Sequence, residues 1–184
     1  MLRSVAKVED LRQEEIPVDA TTLIYLGKAD AFGEAVRAVR TFVASPAVWR
    51  EAVDDAPERY IGDVRKIRAA EQEGAVKQVA LGDRDRALAS TIRANHRLGQ
   101  GESEALALAH RRKYAIVDEG RATRVARALG LIPYSTLFLP VLAYDVGELD
   151  KAEAKALFRR LAVVAGARAE VVVAIEEYLE EKGK

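Results

Sequence analysis

From Ile16 to Pro133 the chain alternates short apolar runs with longer stretches of helical spacing, and this alternation restricts the fold more than any other feature. Strands separated by crossover helices lie parallel, and the helices cover both faces of the sheet they form. IPVDATTLIYL (16–26) starts as a strand and passes into a helix after Asp19. A strand is predicted near Thr41–Ala44, followed by a helix with Pro46 in its first turn and Glu51 further along. Tyr60, Ile61, Val64, Ile67 and Arg68 share a helical spacing that Gly74 ends. AVKQVAL (75–81) reads as a strand, the polar stretch 82–101 as a helix, and ESEALALAHRRK (102–113) as the next helix. Tyr114–Val117 is a short strand closed by Asp118, and GRATRVARALG (120–130) a helix ended by Gly130. The predicted class is α/β, a three-layer α/β/α sandwich with a mostly parallel central sheet.

With 184 residues the chain fits one domain, 1–184, with a core at about 16–147. Stretches 150–166 and 168–182 read as two appended helices, with Asp150 as N-cap and Glu153 as its capping-box partner. The absence of cysteine removes disulfides and thiolate metal sites. The start, MLRSVAKVEDLRQEE, lacks the apolar run of a secretion signal, so the cytoplasm is the expected compartment. YSTLFLPVLAY (134–144) falls short of the roughly 18–20 apolar residues that span a bilayer, so no membrane partner is expected. Twenty-nine basic against 29 acidic side chains give no net charge, so a polyanion has to be held by a local patch or by metal ions.

In open α/β sheets the site forms beyond the carboxyl ends of the strands. Asp19 ends the first strand; Asp118 ends a later one, with Glu119 beside it. Glu102 and Glu104 open a helix, and Glu51 lies on another. Converging carboxylates repel one another unless cations join them, and hard oxygen donors favour Mg²⁺ or Mn²⁺. Each acid also has a plainer role. Asp19 and Asp118 can be N-caps, Glu102 and Glu104 can complement a helix dipole, and Glu51 can be a solvated surface acid. At about 100° per residue Glu102 and Glu104 point some 200° apart, so at most one faces a shared site. His96 and His110 have no metal-ligand spacing and read as surface residues. GQGESE follows a helical pattern, not a strand, and so is not a dinucleotide loop.

Taken in order, VDATTLIYL, SPAVWREA, LGQGESEALALA, YAIVDEGRATRVARALGL and YSTLFLPVLA resemble the PIN-domain nucleases. The closer likeness is to the prokaryotic branch with a GExEA helix, the VapC-like toxin ribonucleases. The resemblance covers about Val18 to Gly147 and implies three or four acids around one or two Mg²⁺ or Mn²⁺ ions. Asp19 matches the first acid, with Thr21 at the family's Ser or Thr position; Glu51 matches the second, and Glu104, followed by ALALA, the third. Glu102 matches a neighbouring acid of open role. Asp118 and Glu119 occupy a pair more often formed by two aspartates, which leaves open which of them reaches a metal. Ser135 stands where relatives commonly have glycine.

The implied activity is metal-dependent hydrolysis of RNA phosphodiester bonds, by the toxin of a type II toxin–antitoxin pair. An RNA-processing nuclease without an antitoxin and a non-catalytic PIN-like binding module are the alternatives. Arg121, Arg124 and Arg127 recur on the helix after Asp118, and Arg111, Arg112 and Lys113 precede its strand. They are candidates to grip the RNA backbone, or else form solvated helix faces. A homodimer is expected, and the apolar Val171, Val172, Val173 and Ile175 are candidates for it, for an antitoxin, or for the core.

Overall fold

The computed structural model describes residue 11 and residues 14–182, so most of the N-terminal stretch read for a secretion signal lies outside the described residues. Five strands are formed: β1 (Glu15–Pro17), β2 (Thr41–Ala44), β3 (Val76–Gln78), β4 (Tyr114–Ile116) and β5 (Ile132–Tyr134). Between β1 and β2 lie α1 (Ala20–Ala29) and the single turn α2 (Phe32–Ala35). After β2 come α3 (Pro46–Trp49), which continues into a π-helical turn at Arg50–Asp54, and α4 (Ile61–Gln72). α5 (Asp83–His96) and α6 (Gln100–Ala109) separate β3 from β4, and α7 (Gly120–Ala128) separates β4 from β5. α8 (Leu139–Asp145), α9 (Lys151–Ala165) and α10 (Ala169–Glu181) complete the described chain.

All pairings are parallel, with Ile16 opposite Phe42, Phe42 opposite Val76, and Ala115 opposite Pro133. A single parallel bridge, Val18 to Ile116, joins the two halves, so the strand order is β3-β2-β1-β4-β5. The narrowness of that seam follows from Pro17. The Val18 N–H points to β2, donating to the Val43 carbonyl at 3.0 Å, and the Asp19 N–H points to β4, donating to Ile116 at 3.1 Å. Two residues before Asp19, Pro17 faces the β4 side and has no N–H to offer. The seam therefore starts only where β1 ends.

Alternation along the strands builds the layers. Phe42 and Ala44, with Tyr114 and Ile116, enter one core that also holds Leu23, Leu26 and Val64. Val43, Ala115 and Val117 enter the other, against Ile92, Leu106 and Val125. Helices thus cover both faces, the α/β/α sandwich expected from the alternation. The two C-terminal helices differ: α9 buries Ala154, Leu157, Phe158 and Leu161, whereas α10 buries only Leu179. Asp150 caps α9, accepting from the Glu153 N–H at 2.8 Å while Glu153 accepts from the Asp150 N–H at 2.8 Å. Among the described residues no helix is long and apolar enough to cross a membrane.

Candidate functional site

Connections leave β1 toward β2 on one side and return to β4 on the other, so the sheet reverses its winding between β1 and β4. Ligands in such sheets sit beyond the carboxyl ends at this reversal. Asp19 and Asp118 are the residues that stand there.

Asp19 caps α1: its Oδ1 accepts from the Thr22 N–H at 2.7 Å and the Thr22 hydroxyl at 2.8 Å. Its Oδ2 accepts from the Asp118 N–H at 3.1 Å, tying the end of β1 to the end of β4. The capping role and proximity to a second acid therefore coexist in one side chain. With Asp19 2% exposed, burial first and the Asp118 charge second push its pKa up to about 6.

Asp118 is held by donors from the segment after β5. Its Oδ1 accepts from the Ser135 hydroxyl at 2.6 Å and the Thr136 N–H at 2.9 Å, and its Oδ2 from the Thr136 hydroxyl. The Thr22 hydroxyl lies 3.4 Å from that second oxygen, but its single proton is better placed on Asp19. Ser135 thus acts on the carboxylate directly. Tyr25, one helical turn beyond Thr22, faces the same acids: burial and the charges of Asp118 and Asp19 raise its phenol pKa.

The acid of α6 that joins this corner is Glu102. Its Oε2 accepts from the Gly99 N–H at 2.8 Å, closing the first turn, while its buried Oε1 accepts no hydrogen bond from an N–H or hydroxyl of the described residues. Burial, then the neighbouring Glu119 carboxyl and the Asp19 charge, push the Glu102 pKa up to about 7, against the lowering effect of the Gly99 N–H. Glu119 is exposed at the start of α7, and its side chain caps nothing.

Glu51 and Glu104 do something else. Glu51 Oε1 accepts from the Gly101 N–H at 3.1 Å, in the first turn of α6. Glu104 Oε2 accepts from the Ala47 N–H at 3.0 Å, in the first turn of α3, and its Oε1 accepts from Gln100 Nε2 at 2.9 Å. Each helix thus supplies the anion that satisfies the other's N-terminus. Glycine at position 101 lets the Glu51 carboxylate sit this close, because a Cβ there would lie 2.6 Å from Glu51 Oε2 and push the side chain aside. Asp19 and Asp118 are therefore tied together, with Glu102 and Glu119 adding to the same field, while Glu51 and Glu104 cross-brace the adjoining helices.

None of Asp19, Asp118, Glu102 and Glu119 pairs with a Lys, Arg or His among the described residues. Nor, among those residues, is any group of three or more His, Cys, Asp or Glu side chains placed to hold a metal ion. The donors of the corner are carboxylate oxygens, the type that hard divalent cations prefer, and among the described residues no counter-charge pairs with them.

Of the residues predicted to grip RNA, Thr21 makes no side-chain hydrogen bond among the described residues, and its neighbour Thr22 occupies the position between the acids. Arg121 donates to the Arg97 carbonyl at 3.1 Å, and Arg124 and Arg127 are exposed. Arg111 and Arg112 are taken up by ion pairs with Asp85 and Glu15. His96 and His110 are exposed. Sequence reasoning missed Thr22, Tyr25 and Thr136, and it singled out Ser135 without its bond to Asp118. One available signal for the last two was that they follow β5, whose carboxyl end adjoins that of β4.

No curated protein and no solved structure matches the chain. A family model described as a PIN domain matches residues 16–176, from β1 into α10. That span covers well over half of the chain, so the protein belongs to the PIN-domain family, whose members are generally nucleases that use divalent metals.

Proposed function

We propose that the protein is an endoribonuclease that hydrolyses RNA phosphodiester bonds with Mg²⁺ or Mn²⁺, and that it is the toxin of a type II toxin–antitoxin pair. The main support is the concentration of Asp19, Asp118, Glu102 and Glu119 at the winding reversal, where no Lys, Arg or His of the described residues pairs with them. Those four would hold the metal, with Glu102 the contributor from α6 in place of Glu104. Held by these residues, a divalent cation would supply charge neutralisation for the phosphate and would lower the pKa of the attacking water. Asp19 and Asp118 are fixed by Thr22, Ser135 and Thr136, so their oxygens need little reorganisation. Glu102 and Glu119 carry the less satisfied oxygens and adjust to the ion. Arg124 and Arg127, exposed on the helix that follows Asp118, would meet the RNA backbone. An antitoxin restrains the enzyme by covering this corner or by inserting a basic side chain among its acids. The partly exposed Val173 and the highly exposed Val163, on α10 and α9, support a homodimer.

The absence of a gathered metal centre among the described residues favours a second reading, a PIN-like module that binds without cutting. Cleavage of single-stranded RNA with Mn²⁺ separates the two. Asp19→Asn is expected to lower cleavage at least about a hundredfold, more than the 10- to 100-fold typical of losing an outer partner of a metal ligand. Equal turnover by Asp19→Asn and wild type would remove Asp19 from the reaction. No cleavage by the wild type, with metal binding seen by calorimetry, would favour the binding module.

A further inference from the structure

A cavity of about 170 Å³ opens between α1, the π-helical turn after α3, and α4. Its floor is Ile24, Ala52, Val64 and Ile67, with Ala56 and Pro57 on one wall. α1 and α4 meet closely at its end, where a Cβ on Gly27 would lie 3.2 Å from the Asp63 carbonyl and 3.2 Å from Ile67 Cγ1. Tyr60 stands at the rim, with Lys28 Nζ 4.7 Å and the Arg59 guanidinium 4.9 Å from its ring centroid. Neither cation has a carboxylate partner among the described residues. Asp63 and Glu51 complete the lining, and Glu51 is the side chain bonded to Gly101, next to Glu102. On α1, Ile24 enters this cavity while the adjacent Tyr25 faces Asp19 and Asp118. The cavity and the acidic corner are thus neighbours on two sides of one helix.

We propose that this cavity seats one unpaired base of a single-stranded RNA whose backbone crosses the acidic corner. The proposal rests on the nuclease reading and names a part of its substrate. The volume lies below the roughly 300–1,000 Å³ of sites for drug-sized ligands, so it suits one ring system and not the row of side chains on a docked helix. An apolar floor and an aromatic rim accept any base by its π-face, the carboxylate of Asp63 accepts from base N–H groups, and two cations without an ion-pair partner among the described residues meet the flanking phosphates. These are the parts from which sequence-tolerant single-strand binding is built.

The test is cleavage of a single-stranded RNA with Mn²⁺, with one abasic nucleotide walked along the strand. At one position the missing base is expected to lower kcat/KM about 5- to 150-fold, the range for losing a base stacked on an aromatic ring. Tyr60→Ala is expected to show a similar loss on intact RNA, no further loss with the abasic strand, and an unchanged melting temperature. Tyr60→Phe should stay close to wild type. Wild-type cleavage of intact RNA by Tyr60→Ala, or losses that multiply with the abasic position, would overturn the base site and leave the nuclease reading standing. Unchanged RNA kinetics together with weakened binding of a co-expressed protein would make the cavity a protein dock and also overturn it. A wild-type protein that neither binds nor cuts RNA would sink both readings.

Discussion

Two halves of the acidic corner are built differently. Asp19 and Asp118 sit in a frame of hydroxyl and backbone donors: Thr22, Ser135, Thr136 and the Asp118 N–H. Glu102 and Glu119 lie close enough for one protonated carboxyl to hydrogen-bond the other, and among the described residues no other donor reaches the buried Glu102 Oε1. A carboxylate with donors on each oxygen is a fixed part of the framework. An orphaned buried oxygen beside other acids is stable only when a proton or a cation joins it. The first pair thus sets the position of the site, and the second is completed by what binds there.

The strongest way to break this comparison is on α6 itself. Glu102→Gln is expected to lower Mn²⁺-dependent RNA cleavage at least about a hundredfold, while Glu104→Gln, which alters only the brace to Ala47, changes it by less than about tenfold. The reverse order would return the metal to Glu104 and make Glu102 a simple cap. A smaller effect sharpens the same contrast. Saturating Mn²⁺ should raise the melting temperature by about 5–10 °C, from roughly 2.7 kcal/mol at a hundredfold excess over Kd and 2–4 °C per kcal/mol at this size. Glu102→Gln should lose most of that rise. An equal rise in the two proteins would mean that Glu102 takes no part in binding the ion.

The smallest expected effect concerns the framework half without metal. The folded pKa of Asp19, about 6, lies above its ordinary 3.8. Between these values the native state holds the proton that the unfolded chain has released. This contribution to stability is therefore complete below pH 3.8, declines as the pH rises through 6, and is absent above. Its size is on the order of 3 kcal/mol. Denaturant unfolding in EDTA should show a steeper fall from pH 4 to 7 for wild type than for Asp19→Asn. Parallel curves would mean that Asp19 carries no buried proton.

Much of this architecture was legible in the chain. Strand–helix alternation is a local pattern, and it yielded the layered class, the carboxyl-end positions of Asp19 and Asp118, and the capping box at Asp150. The neighbourhood of Glu102 and Glu104 was legible only in part. Their angular separation showed that one acid at most faces the site, but the choice depended on which helix packs against which side of α6. With α3 on the Glu104 side, an N-terminal amide claimed that carboxylate; the end of β4 lay on the other. Ser135 and Thr136 became donors to Asp118 only once β5 paired with β4 and brought residues 17 and 18 positions later in the chain alongside.

Local spacing and propensity by themselves determined which segments become strands and helices, and hence that acids stand at strand ends. Tertiary structure alone decided which of those acids share a field and which become caps. The physical reason is range: hydrophobic periodicity acts within a few residues along the chain, whereas repulsion between carboxylates and the donors that relieve it depend on distances set only after the sheet has closed.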